Sequence, residues 1–395
     1  MGNTDPYQSG TEQTAYANEG YAYKYFLPSY APRTVQITSP KLSRLLEEAT
    51  HMLGELNAYA RFVPDIDFFI RMHEIKEATA SSRIEGTKTN LDEALMDAED
   101  IMPERRDDWQ EVQNYIQAMN HAVNRLEKLP VSKRLLNETH EILLSGVRGE
   151  EKQPGAIRES QNWIGGATLK DARFIPPAHQ DLPDLLTDLE EFLHEDDLNM
   201  SLLVKAGIAH YQFETIHPYL DGNGRIGRLL IILYLIEQKL LDRPILYLSQ
   251  FFDRYKQEYY EALDTVRAQN DLEQWLRFFL VGITETSRQA IHTLQSIQSL
   301  QETHRQEILK LGRRSENASA LLERLYTDPI ISVSEAAEEL DVTPPTANSL
   351  VKELHKLGML KEITGFSRNR IFIYEPYIRL FTDYVVEDNR NGREN

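Results

Sequence analysis

An all-α protein ending in a small helical domain with one β-hairpin is the fold class this sequence predicts, and three observations predict it. Apolar residues recur three and four apart through most of residues 39–300, the period of helices with one buried face. Glycine and proline gather in residues 145–181 and break every long period there. After about Glu316 the pattern changes to short helices, a double proline and a glycine-centred hairpin. At 395 residues the chain has the length of two or three domains with real cores.

Residues up to about Thr38 are polar, punctuated by aromatics and without period, and are expected to form an arm on the body. Leu42, Leu45, Leu46, Ala49, Met52, Leu53 and Leu56 then make one helical stripe, closed by Pro64. A second helix, capped by Asp67, carries Phe69, Met72, Ile75 and Ala78 inward and ends at Gly86, a favoured residue just past a helix. Leu91–Ile101, Trp109–Leu129 and Leu135–Leu144 continue the helical reading. In the glycine- and proline-rich stretch, Gln161–Ile164 and Ala172–Ile175 can pair as a short hairpin. Leu182–His194 and Leu202–Thr215 are helices again, and Ile226–Leu240, apolar on nearly all sides, marks a central buried one. Gln257–Ala268 and Leu272–Leu300 complete the body, the last turning polar like a connector.

The C-terminal segment has its own order. Ala320–Tyr326 is a short helix, Ser332 with Glu335 forms a capping box, and Pro344 and Pro345 start a helix running to Leu357. Met359–Lys361 and Arg370–Tyr374 flank Gly365 as a hairpin. This is the order of a winged helix-turn-helix. Lys352, Lys356, Lys361, Arg368 and Arg370 could face phosphates, but residues 319–395 hold nine Lys and Arg against thirteen Asp and Glu, a weak footprint for DNA. Leu350, Val351, Leu354 and Leu357 read as domain core, and protein contact or a homodimer is the favoured use.

Composition removes several functions. A formal charge of −19 disfavours broad attachment to nucleic acid or anionic lipid. With no cysteine, disulfides, thiolate nucleophiles and thiolate metal sites are excluded. The longest apolar run, Leu229 to Ile236, is less than half of the roughly 20 residues a bilayer needs. The N-terminus lacks the basic and apolar regions of a signal peptide, and Pro6 stands where myristoylation wants Ser or Thr. A cytoplasmic protein with no membrane partner is expected.

One stretch carries chemistry: His217-Pro218-Tyr219-Leu220-Asp221-Gly222-Asn223-Gly224-Arg225-Ile226-Gly227-Arg228, feeding into the buried helix. Two glycines around Asn223 allow a tight turn and close approach, and backbone N–H groups there, with a helix N-terminus, make an anion cradle. Arg225 and Arg228 add positive charge, and Asp221 can hold Mg²⁺ that also binds nucleotide phosphate. A neutral His217 at the mouth can take a proton from a hydroxyl and turn it into a nucleophile towards phosphorus. Zinc is disfavoured, because Pro218 and the glycines forbid regular helix between His217 and Asp221 and no further ligand follows.

These residues resemble the core motif of the Fic family, His-Pro-Phe-x-Asp/Glu-Gly-Asn-Gly-Arg-x-x-Arg, with Tyr219 replacing the usual Phe. The resemblance covers roughly residues 20–290. It implies a Fic-type helical core with a β-hairpin flap and transfer of AMP from Mg·ATP to a Ser, Thr or Tyr hydroxyl of a protein. In that reading His217 is the base, Asp221 holds the metal, Gly222, Asn223 and Gly224 bind phosphate oxygens, Arg225 holds the nucleotide's phosphates and Arg228 receives the γ-phosphate. Tyr260 resembles a position near adenine, and residues 161–177 correspond to the flap, which can take an extended target segment by strand addition. The alternatives are a nucleotide-sensing DNA-binding regulator without catalysis, or removal of AMP by the same site.

Ser81-Ser82-Arg83-Ile84-Glu85-Gly86 resembles the family's inhibitory motif Ser/Thr-x-x-x-Glu-Gly/Asn. Glu85 closes a helix, where the macrodipole disfavours a carboxylate unless a cation answers it. Ser81, one turn earlier on the same face, can orient that carboxylate. Self-inhibition through Ser81 and Glu85 is therefore expected. The expected domains are 1–100, an N-terminal arm and helical region with the inhibitory helix; 101–295, the catalytic core; 296–315, a linker helix; and 316–395, the winged helix-turn-helix.

Overall fold

The computed structural model describes residues 7–16, 22–61, 66–364 and 370–382. Contacts group the chain into two units, Met1–Ala58 with Glu74–Arg288, and Tyr59–His73 with Gln289–Asn395. The chain is mostly helical with a few short strands, as the 3.6-residue period requires.

The first unit opens on an antiparallel hairpin, β1 (Gly10–Ala15) and β2 (Tyr23–Pro28), in register from Gly10 opposite Pro28 to Ala15 opposite Tyr23. The arm read as periodless thus holds a ladder, because backbone pairing of a mainly solvated hairpin needs no apolar alternation. Helix α1 (Pro40–Ala60) buries Leu42, Ala49, Leu53 and Leu56, the core of the expected stripe. Helix α2 (Ile66–Ile84) buries Phe69, Met72, Ile75 and Ala78 and is followed by Gly86 at φ +107. Asp67 lies inside its first turn instead of capping it, where a carboxylate still favours the helix N-terminus.

Helix α3 (Leu91–Ala94) is only four residues long, with Asn90 and Glu93 in a capping box. The expected run to Ile101 fails because Asp97, Glu99 and Asp100 would load a helix C-terminus with negative charge. There follow α4 (Arg106–Arg125), α5 (Lys133–Leu143), α6 (Leu182–His194), α7 (Leu202–Ile216), α8 (Asn223–Glu237), α9 (Ser249–Arg254), α10 (Lys256–Gln269) and α11 (Leu272–Leu309). Helices α7 and α8 pack against each other, and nearly all their residues are buried. Gly207 on α7 brings α11 close: Trp275 Nε1 donates to its carbonyl at 2.8 Å, and a Cβ there would lie 3.0 Å from the Phe279 ring. The flap is smaller than expected, one antiparallel bridge between Ile164 and Phe174. Gly165 and Gly166, both at positive φ, turn the chain away directly after Ile164.

In the second unit α12 (Ser315–Thr327), β3 (Ile330–Ser332), α13 (Val333–Glu339), α14 (Pro344–Lys356), β4 (Lys361–Glu362) and β5 (Ile371–Ile373) form a winged helix with sheet order β3-β5-β4. The Ser332–Glu335 capping box is formed. Leu350, Val351 and Leu354 are buried, whereas Leu357, just past α14, is 38% exposed and is not core. A last helix, α15 (Glu375–Thr382), buries Tyr377, Ile378 and Phe381; eight residues are too few to show a period in sequence. Gly365 and Arg368 lie outside the described residues. Lys361 pairs with Glu375 at 2.5 Å and Arg370 donates to Asn348 at 2.7 Å, while Lys352 and Lys356 are exposed. Among the described residues no helix is long and apolar enough to cross a membrane.

Candidate active site

The site is built where α7 ends and α8 begins. Its pivot is His217, which terminates α7 in a left-handed conformation, φ 50° and ψ 64°, with its N–H still bonded to the Phe213 carbonyl at 2.9 Å. A non-glycine residue in that region needs outside support. Arg158 supplies it. This arginine is 1% exposed, donates from Nε to the His217 carbonyl at 2.9 Å, and spends its other N–H groups on the carbonyls of Ser160, Pro177 and Ile216. Burial lowers its pKa to about 10, still fully charged at neutral pH. Nothing in the sequence period marks Arg158, one of three arginines in the glycine- and proline-rich residues 145–181.

Burial, with Arg158 and Arg267 as neighbouring cations, pushes the His217 imidazole down to about 3. It is therefore neutral at pH 7.

The loop from Pro218 to Gly222 is latched from within. Asn223 Oδ1 accepts from the Tyr219 N–H and Asn223 Nδ2 donates to the Tyr219 carbonyl, each at 2.8 Å. Each polar atom of the Asn223 side chain thus holds the Tyr219 backbone, and Nδ2 keeps a second N–H. The Tyr219 ring is buried, stacks on His140 at 3.9 Å, and its hydroxyl donates to Asn137 Oδ1 at 2.8 Å. The phenol that departs from the motif has a partner. His140 accepts from the Gly155 N–H at Nδ1 and so donates from Nε2 to the Asp221 carbonyl at 3.0 Å.

The two glycines divide their tasks. Gly222, at φ +74, makes the turn into α8. Gly224 already lies in the helix and serves close approach: a Cβ there would stand 2.3 Å from Glu85 Oε1 and 2.9 Å from Arg228 Nη1. The first-turn N–H groups of α8, at Asn223, Gly224 and Arg225, precede the first intrahelical bond, Ile226 N to Gly222 O. Such N–H groups can take an anion, and a Cβ on Gly224 among them would run into the Glu85 carboxylate.

Arg228 is buried and bonded through Nε and Nη2. Its Nε donates to Ser81 Oγ at 2.9 Å, and Nη2 donates to the Ser81 carbonyl at 3.0 Å and to Glu85 Oε1 at 2.8 Å. Ser81 therefore holds the arginine and not, as expected, the carboxylate. Burial pushes the Glu85 carboxyl up, but the Arg228 guanidinium outweighs it and holds the group below the usual carboxylate range. Lys256 Nζ donates to the Ile84 carbonyl at 2.6 Å and answers the α2 terminus as a second cation. Arg225 is also buried, 3.4 Å from Glu111 Oε2 and 3.6 Å from Asp221 Oδ1.

Asp221 accepts the Gly222 N–H on Oδ1 at 2.6 Å, and a Cβ on Gly149 would come within 3.1 Å of its Oδ2. The missing side chain at Gly149 leaves that oxygen accessible. One hard oxygen fits a magnesium ion that arrives on phosphate oxygens; among the described residues no group of three or more His, Asp or Glu could hold a metal alone.

Of the two neighbouring tyrosines, Tyr259 is core and bonded to His210 Nε2 at 2.8 Å, while Tyr260 is half-buried beneath Arg173 of the flap, 5.8 Å from the ring centre. Arg173 is paired with Asp264 on α10, and Arg267 lies over the Phe174 ring at 3.9 Å, so the flap is fastened to the helix that carries Tyr260. Sequence reasoning also missed Glu214, a buried carboxyl on α7 whose Oε1 would lie 2.2 Å from a Cβ on Gly227. Desolvation raises it to about 7 despite the pull of Arg228.

Residues 43–124 match the Fic/DOC family N-terminal region, residues 130–235 the Fic/DOC family, and residues 314–361 a winged helix-turn-helix DNA-binding domain. Among curated relatives, a probable protein adenylyltransferase of Aquifex aeolicus is 27% identical over 167 residues, 42% of this chain and 49% of the relative. Protein adenylyltransferase Fic of Drosophila grimshawi is 33% identical over 107 residues, 27% of this chain and 20% of the relative. The chain thus spans half or less of these relatives. A crystal structure of a Fic family protein from Desulfovibrio desulfuricans has a TM-score of 0.57 at 22% identity, over 87% of this chain and 98% of that one. A Fic domain containing signaling protein from Bacteroides thetaiotaomicron has a TM-score of 0.50 at 16% identity, over 65% and 97%. At these identities the likeness is one of fold.

Proposed function

Because the chain carries the Fic/DOC N-terminal and Fic/DOC domains ahead of a winged helix-turn-helix, we propose that it is a protein adenylyltransferase that moves AMP from Mg·ATP to a hydroxyl side chain of a protein and restrains itself through Glu85. The observation that carries this reading is a neutral His217 held by Arg158 at the mouth of the α8 cradle. The hydroxyl oxygen of the target attacks the α-phosphorus while His217 takes its proton; the bond from that phosphorus to the bridging oxygen breaks, and pyrophosphate leaves. Phosphates arriving beside the imidazole offset Arg158 and Arg267 and raise its proton affinity. Asp221 would hold the magnesium that accompanies the nucleotide and neutralises its charge.

Arg225, Arg228 and the first N–H groups of α8 are read as the phosphate site, and Tyr260 as the side chain next to the base. We assign the extended target segment to the flap, a reading supported by Trp163, which is 39% exposed there. With Glu85 on Arg228 and over Gly224, ATP settles with its phosphates displaced and its α-phosphorus out of line. The winged helix is read as a protein-contact module, since Lys361 and Arg370 are tied within the domain.

His217→Ala tests the reading with ATP labelled at the α-phosphate. Transfer to protein should fall by about 10²–10⁴ while folding and most ATP affinity remain, because a general base contributes to rate and not to binding. Unchanged labelling would refute the mechanism. Nucleotide binding without transfer in wild type and Glu85→Gly, with a salt-sensitive DNA shift, would instead favour a regulator.

A further inference from the structure

The second unit holds a concave site that the transfer reaction does not use. A cleft of about 900 Å³ lies between the first turns of α2, the last turns of α11, and α12. That volume is within the range of small-molecule sites, about 300–1,000 Å³. Its floor is apolar: Ile308, Leu322 and Tyr326 are 1%, 5% and 6% exposed. Its rim is cationic. Arg71 and Arg305 both line it, both are exposed, and neither has an ion pair or hydrogen bond among the described residues. Of the two acids at the edge, Asp67 is already engaged, which leaves Glu323 against two guanidinium groups. Leu309, the last residue of α11, stands beside them 57% exposed.

An apolar floor under two exposed arginines suits one ligand chemistry. The floor takes a flat or aliphatic body, and planar guanidinium groups take a carboxylate or phosphate by paired N–H donors. We propose that this cleft binds a small amphipathic anion, an apolar body bearing one carboxylate or phosphate group. Helix α2 runs unbroken from Ile66 to Ile84, so the helix that forms one wall also delivers Ser81 to Arg228 and leads into Glu85. An occupant that grips Arg71 bears on the helix that sets the lock. This second step rests on the proposed function; the binding site does not.

Anilinonaphthalene sulfonate, an aromatic anion whose fluorescence rises in apolar surroundings, is titrated into the full chain and displaced with phenyl phosphate, phenylacetate or neutral benzyl alcohol. One saturable site is expected, emptied by either anion at concentrations at least tenfold below those of the alcohol, with the two anions telling phosphate from carboxylate preference. Arg71→Gln with Arg305→Gln should weaken it tenfold or more, while Arg313→Gln, off the cleft, should not, all variants melting as wild type. Equal binding in the double variant, or displacement by benzyl alcohol as effective as by the anions, overturns the site. Saturating phenyl phosphate should change ATP autolabelling of the wild type and leave Glu85→Gly unaffected. Arginine-dependent binding with unchanged autolabelling overturns the action on the lock, and absence of autolabelling in both proteins overturns the transferase reading while the binding result stands.

Discussion

Removing the Glu85 carboxylate is the sharpest perturbation of the site. Its Oε1 is 2.8 Å from Arg228 Nη2 and within 2.3 Å of where a Gly224 Cβ would stand, so one group both occupies an arginine and fills the space above the α8 N-terminus. A hydrogen bond to a charged group contributes about 1.5–3 kcal/mol. Because the Glu85 side chain is 33% exposed, screening places it at the low end. Breaking the contact before ATP can align then costs about 1.4 kcal/mol, a factor of ten in rate. Glu85→Gly should therefore raise autolabelling at least tenfold. Arg228 keeps its place in that variant, since Ser81 still accepts from it at both Oγ and the carbonyl. Arg228→Ala should cancel the gain, because the released partner is missing. Glu85→Gln separates the two effects: if charge dominates it behaves like Gly, and if filled space dominates it stays slow. The assay is incorporation from ATP labelled at the α-phosphate, at equal protein and Mg²⁺, with melting curves for each variant. Equal rates in folded wild type and Glu85→Gly would mean that Glu85 does not restrain the site.

Four further outcomes follow from the same contacts. Arg158→Ala leaves the His217, Ser160 and Pro177 carbonyls without their buried donor, and at about 1–3 kcal/mol per orphaned group it should lower the melting temperature markedly and reduce transfer; Arg158→Lys, with one donor centre for a planar fork, should rescue only part. Tyr219→Phe should cost about 1 kcal/mol or less and leave transfer intact, since it removes only the bond to Asn137. Glu214, raised to about 7 from 4.5, binds a proton in the folded chain that the unfolded chain has lost, so its contribution is present below pH 4.5 and disappears as pH rises through 7; Glu214→Gln should stabilise the protein at pH 8, by on the order of 3 kcal/mol at most, and the gain should vanish towards pH 4 in chemical denaturation. His140, His210 and His217, held near 4, 3 and 3, work in the opposite sense: below pH 6.5 the unfolded chain gains protons they refuse, so stability should fall by about 1.4 kcal/mol per histidine per pH unit between 6.5 and 4, less the gain from Glu214.

The candidate site was legible where chemistry and chain order coincide. His217, Asp221, Gly222, Gly224, Arg225 and Arg228 lie within twelve consecutive residues, and the turn that gathers them is local, so their residue types suffice to expect an anion cradle at a helix start. Glu85 could be placed by an electrostatic deficit, a carboxylate at a helix C-terminus in need of a cation, but that argument names no cation. What escaped was whatever depends on a partner far along the chain. Arg158 reaches carbonyls 59 residues away, Ser81 turns to an arginine 147 residues away, and Glu214 is noticed only because Gly227 leaves room for it. None of these pairings leaves a period or a spacing.

The same division runs through the fold. Long helices were visible because burial of one face over four or more turns writes the same period many times, as α1 and α2 do. Short elements were not: β1 and β2 spend their backbone groups on each other with little apolar alternation, and α15 offers only Tyr377, Ile378 and Phe381. A period also says that a face is covered without saying by what. The apolar residues of α2 form one unbroken stripe, yet Phe69 meets Phe381 with ring centres 6.4 Å apart, while Glu77, two turns on, accepts from Tyr115 and from the Ser249 N–H at 3.1 Å each. Helix α2 therefore spends its first turns on aromatic packing in the unit that contains the winged helix and its last turns on the polar network around Arg228. A substitution at Phe69 that leaves every site residue in place should then still alter the Glu85 lock, whereas a loss confined to melting temperature, with autolabelling unchanged, would show that the two ends of the helix are energetically separate.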